Sequence, residues 1–88
     1  MKLTKIYIGA DNSTKKLDLE LIKSIASSML TGCTIYTGTG IWQGKLEDCA
    51  IIEIYGTFNT DIIPELKSNL SQDSVMVATS NMDVDFYE

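Results

Sequence analysis

Thr34 to Lys45, reading TIYTGTGIWQGK, concentrates the residue types of this chain that could hold a ligand. Gly38, Gly40 and Gly44 let the backbone turn sharply and approach a bound molecule, while Tyr36 and Trp42 offer flat apolar faces with one polar handle each. Thr37, Thr39, Gln43 and Lys45 place hydroxyl, amide and ammonium groups among them. A loop of this composition suits a flat, polar, phosphorylated molecule. The same residues also fit a plain β-hairpin whose connection carries glycine and tryptophan, the indole folding back as a hydrophobic plug.

Elsewhere the chemistry is sparse. The chain has no histidine, and all 7 basic residues are lysines, so the commonest general base and the commonest transition-metal ligand are missing. Asp48 and Glu53 fall on opposite sides of a strand, and Glu47 and Glu53 lie roughly 20 Å apart at ~3.3 Å per residue, so no compact carboxylate pair forms. Cys33 and Cys49 lack a C-x-x-C partner and read as reduced, buried strand residues. Neither a catalytic set nor a metal site nor a cofactor is expected.

The 88 residues are expected to form a single domain, with residues 81–88 as an acidic C-terminal tail. A net charge of −5 argues against DNA or RNA as partner, since those depend on lysine and arginine neutralising phosphates. No apolar run reaches the ~20 residues of a membrane span, and the N-terminus lacks a signal-peptide pattern, so a cytoplasmic location is expected.

The elements that must position these residues follow from periodicity. LTKIYIG alternates, with Ile6 and Ile8 on one side and Lys5 and Tyr7 on the other, and predicts a strand over Leu3 to Gly9. After the polar loop Ala10 to Lys16, apolar residues recur at Leu19, Ile22, Ala26 and Met29, giving a helix capped by Asp18 and stopped by Thr31-Gly32 in a left-handed turn. Cys33 to Thr37 and Asp48 to Tyr55 predict two strands paired as an antiparallel hairpin. A second helix runs from a cap at Asn59 or Thr60 to about Leu70, burying Ile63, Leu66 and Leu70, and Ser74 to Thr79 is a final strand. The order β-α-β-β-α-β predicts an α+β, ferredoxin-like split: a four-stranded antiparallel sheet with two helices on one face. The uncovered face then carries Tyr7, Tyr36, Ile51, Tyr55 and Met76, an apolar patch that predicts self-association into a homo-oligomer or the binding of something flat. An RNA-recognition role on this face is disfavoured by the acidic charge and by the absence of a basic, aromatic-spaced pattern in Asp48 to Tyr55.

KIYIG in the first strand, a G-x-T strand running into GIWQG, Glu47 soon after, and LSQDSVM entering the last strand together resemble a family of small bacterial and phage ferredoxin-like proteins, over about Lys5 to Met76. Within that setting the chain is similar to the oligomeric anti-CBASS sponges with which phages capture cyclic-oligonucleotide immune signals without cleaving them. The resemblance implies a cyclic dinucleotide ligand, such as 3'3'-cGAMP, held by a homo-oligomer in the host cytoplasm. It implies further that Trp42 and Tyr7 or Tyr36 stack on purines, that Thr37, Thr39 and the amides of Gly38 and Gly40 meet phosphate oxygens, that Lys45 adds charge, and that Gln43 reads a base edge. The alternative is a small homo-oligomeric enzyme acting on a nucleotide-like or small polar substrate where subunits meet.

Overall fold

Alternation in KLTKIYI makes β1 (Lys2–Ile8), and the switch to a helical period after the polar loop makes α1 (Leu19–Met29). In this computed structural model, which describes residues 1–88, the chain continues through β2 (Thr34–Trp42), β3 (Lys45–Tyr55), α2 (Ile62–Asn69) and β4 (Met76–Asn81). The strands form one antiparallel sheet in the order β2-β3-β1-β4, which is the ferredoxin-like arrangement. Ile6, Ile8, Ile52 and Ile54 from the sheet pack with Ile22, Ala26, Ile62, Leu66 and Leu70 from the helical layer in one core cluster. Both helices therefore cover a single face.

Asp18 caps α1 as its type and place require, accepting the Leu21 N–H at 3.1 Å. The helix stops differently from the sequence expectation. Leu30 adopts an extended conformation at φ −116°, and Gly32 is not left-handed, so the chain leaves α1 directly into the approach to β2. In α2 the buried stripe is Ile62, Leu66 and Leu70, with Ile63 only half-buried. The shift arises because the helix begins one residue after Asp61, and Asn59 tightens the entry by accepting the Asp61 N–H at 3.1 Å instead of capping the helix itself. Pro64 falls in the first turn, where a missing N–H costs little.

The largest departure lies at the glycine-rich stretch. It is not a loop. Strand β2 continues through Gly38 and Gly40 to Trp42, paired residue for residue with β3 from Thr34↔Glu53 to Trp42↔Lys45. Only Gln43 and Gly44 turn the chain, with φ of 49° and 77°, the double left-handed signature of a type I′ hairpin turn. Because β1 pairs with β3 only as far as Ile8↔Ala50, the hairpin projects past the sheet by the five pairs from Gly38↔Cys49 to Trp42↔Lys45. That overhang is about 17 Å of two-stranded ribbon.

Both cysteines are free and neither is buried: Cys33 is exposed just ahead of β2, and Cys49 is half-buried at the root of the overhang.

Gly44 is required by backbone conformation, since nothing crowds its Cβ position yet its φ is left-handed. Gly44→Ala is expected to lower stability by about 1 kcal/mol through that conformation alone. Urea unfolding of the two proteins measures the difference, and an unchanged midpoint would mean the turn rearranges at no cost.

Candidate functional site

Two regions gather the polar side chains, and they lie on different surfaces. The first is a cleft of about 1150 Å³ between the β1–α1 loop and the projecting hairpin. Its hairpin side carries Thr37, Gly38, Thr39, Trp42, Gln43, Lys45, Leu46, Glu47 and Asp48, and its loop side Ala10, Asp11, Asn12, Lys15, Lys16, Leu17 and Leu19. Strand alternation puts Thr37, Thr39, Leu46 and Asp48 on the helix side and Trp42, Lys45 and Glu47 on the other, as the partners Ala50 and Cys49 show. A ribbon with no third strand beside it twists strongly, which explains how residues of both parities reach one cleft.

The loop wall is built by its own hydrogen bonds. Asp11 accepts the backbone N–H of Ser13 at 2.7 Å and of Thr14 at 3.1 Å, and its backbone closes the turn through Asp11 N–H to Lys16 O and Lys15 N–H to Asp11 O. Lys15 and Lys16 are left exposed at its rim. Trp42 is 70% exposed, so the indole is not a plug. Its ring, three lysines and three carboxylates (Asp11, Glu47, Asp48) border the same space. Such a cleft can take a planar ring together with a short chain bearing both signs of charge.

The second region is the uncovered sheet face. There Glu53 accepts the Tyr36 hydroxyl at 2.9 Å and the Tyr55 hydroxyl as well, with the Lys5 ammonium 3.9 Å away. The Tyr55 bond, then the Tyr36 bond, hold the Glu53 carboxyl below the usual carboxylate range, with Lys5 adding to it. Both phenols are pushed up, first because ionising either would cost its bond to Glu53. Tyr7 and Tyr36 stand opposite Ile51 in the register, and Ile51 is only 6% exposed although its face carries no helices.

The sequence-assigned residues therefore divide. Thr37, Gly38, Thr39, Trp42, Gln43 and Lys45 come together in the cleft, whereas Tyr7 and Tyr36 lie on the sheet face, and Gly40 pairs with Glu47 without lining the cleft. The loop side was the part not assigned to a site. Its signal was the ADNSTKK run, in which Asp and Asn shape a turn and two lysines follow.

No protein-family model and no curated protein matches the sequence. Among solved structures, a phage SAM lyase in its apo state has the same fold. The two superpose with a TM-score of 0.63 at 18% identity, over 99% of this chain and 92% of that one. At this identity the similarity establishes the fold. No helix is long and apolar enough to cross a membrane, and no group of three or more acidic, cysteine or histidine side chains is placed to hold a metal.

The Glu53 cluster has a defined pH window. A depressed carboxyl pKa contributes stability above the usual carboxylate range and loses it as pH falls through the folded-state value; raised phenol pKa values contribute below the usual tyrosine range and lose it as pH climbs through theirs. The stability gap between wild type and Glu53→Gln is expected to be widest between about pH 5 and 9 and to narrow beyond both ends. Urea unfolding across that range reads it, and a gap independent of pH would show that the two phenols do not hold the carboxylate.

Proposed function

We propose that the cleft binds S-adenosylmethionine and that the chain is a small phage enzyme that cleaves it. The observation that carries this reading is the exposed Trp42 set among Lys15, Lys16, Lys45, Asp11 and Asp48 in one cleft. S-adenosylmethionine has a planar base, a carboxylate, an ammonium and a sulfonium. Trp42 suits either the base, by stacking, or the sulfonium, by cation–π attraction. The lysines suit the carboxylate, and the acidic side chains suit the two cations. A net charge of −5 also favours approach of a cationic ligand. The solved lyase lends its substrate to this reading through shared architecture.

The missing histidine is no obstacle to this chemistry. As sulfur leaves with the electron pair of the broken carbon–sulfur bond, as a neutral thioether, the ligand's own carboxylate forms the replacing carbon–oxygen bond at that carbon, so the step needs neither a general acid nor a general base. What the chain must supply is orientation and compensating charge.

A second reading, capture of a cyclic dinucleotide by a homo-oligomer acting as a sponge, is favoured by the three lysines beside Trp42, which match two phosphates. The carboxylates in the same cleft weigh against it, because they face the phosphates without a compensating cation of the ligand. Self-association, part of either reading, is supported by the exposed Ile41 and Leu46 at the hairpin tip and by Tyr55 and Met76 on the sheet face.

Calorimetry with S-adenosylmethionine and with a cyclic dinucleotide panel, followed by chromatography of each mixture, separates the readings. The expected result is S-adenosylmethionine binding at about 10 μM or tighter, consumption of the ligand, and a loss of about tenfold or more in affinity in Trp42→Ala. Dinucleotide binding without consumption of either ligand would install the sponge in its place, and no binding of either would remove both.

A further inference from the structure

Glu47 does something in this cleft that its position among the lining residues does not by itself reveal. Its Oε1 accepts the Ala10 N–H at 3.0 Å, a bond from the projecting hairpin to the chain just leaving β1. Gly9 precedes that amide, and a Cβ there would sit 2.3 Å from the same oxygen and 3.2 Å from the Glu47 carboxyl carbon. The backbone at Gly9 is not left-handed, so the glycine answers to space and not to conformation. From the other side Gln72, in the α2–β4 connection, donates its Nε2 to the Ala10 carbonyl at 2.9 Å and to the Leu70 carbonyl at 3.0 Å. One residue's N–H and C=O are thus each held by a side chain from a different element.

What this holds is a unit. The loop from Asp11 to Lys16 is closed on itself by the Asp11 side chain and by its two backbone bonds, so its orientation against the hairpin is set where it is attached, at Ala10 on the hairpin side and, away from the hairpin, through the Ser13 hydroxyl, which donates to Ser71 Oγ at 3.4 Å. We propose that Glu47 is a positioning residue: its carboxylate anchors Ala10, the anchor fixes the loop wall that carries Lys15 and Lys16, and ligand affinity depends on Glu47 through that wall. This rests on the reading of the cleft as a ligand site, and it makes Gly9 and Glu47 a matched pair in which a side chain at position 9 and the hydrogen bond exclude one another.

The test compares wild type with Gly9→Ala, Glu47→Ala, the double variant and Glu47→Gln, by urea unfolding, by amide exchange at Ala10, and by calorimetry with S-adenosylmethionine. Gly9→Ala should destabilise the wild-type background and cost far less with Glu47→Ala already present. Glu47→Ala should speed Ala10 exchange and weaken ligand binding, each by about tenfold for one lost charge-assisted hydrogen bond, and Glu47→Gln, which keeps an acceptor oxygen, should recover most of both. Additive effects of Gly9→Ala and Glu47→Ala would overturn the pairing. Binding lost equally in Glu47→Gln and Glu47→Ala, with Ala10 still protected in Glu47→Gln, would show that the carboxylate meets the ligand itself. Absence of ligand binding by the wild type would count against the cleft reading alone, because exchange and unfolding still decide the anchor.

Discussion

The structure turns on an inequality of strand lengths. β3 has 11 residues and its central neighbour β1 has 7, so the β2–β3 ribbon must run on alone beyond Ala50. Up to that point the helix-facing positions are Ile52, Ile54 and Ala50, all buried; beyond it they become Asp48 and Leu46, both exposed. The change of residue type follows the loss of cover, since a side chain gains from apolar character only where something shields it from water. The same two strands thus serve as core wall at one end and as cleft wall at the other.

This division assigns different work to the two aromatic groups. On the sheet face the tyrosines are already engaged: Tyr36 and Tyr55 donate to Glu53, and Tyr7 and Tyr36 stand opposite Ile51. A carboxylate that accepts hydrogen bonds from two phenols has its charge spent on its own neighbours, and it is a poor base for a visiting molecule. Trp42 has no such duties. It stands largely in solvent beside mixed charge, which is why the functional reading rests on the indole and not on the phenols.

Much of this was legible from residue order. The alternation of Lys5 to Ile8 against Ala50 to Tyr55 identified the two central strands and their faces, and Asp18 marked the start of α1 as an N-cap should. Of the two readings of the glycine stretch the hairpin holds, but its strands run on past the predicted end at Thr37: Gly38 and Gly40 weaken strand propensity, while what keeps them extended is pairing with Cys49 and Glu47, a long-range interaction that local reading does not see. Cys33 and Cys49 were expected inside on residue type, but they lie at the sheet's edge and at the root of the overhang, where nothing packs over them fully. The link between Glu47 and Ala10 spans 37 positions, and the sequence hints at it only by a glycine at position 9 that no turn requires. The family resemblance groups Tyr7 and Tyr36 with Trp42 as stacking residues, although strand alternation by itself puts both tyrosines on the open face. The pleat places the two tyrosines on the sheet's open side, whereas the ribbon's twist carries the indole round to the loop.

The last strand has a consequence of another kind. β4 closes one margin of the sheet with all six residues of MVATSN exposed, and it contains neither proline nor lysine, the residues that most often spoil such a margin for strangers. Its outer amides and carbonyls form a row open to any extended peptide that comes alongside. Brevity limits that row, and the segment after it carries Asp83, Asp85 and Glu88, so that two molecules lining up edge to edge would bring like charges together. That charge opposes edge-to-edge pairing of two copies along β4.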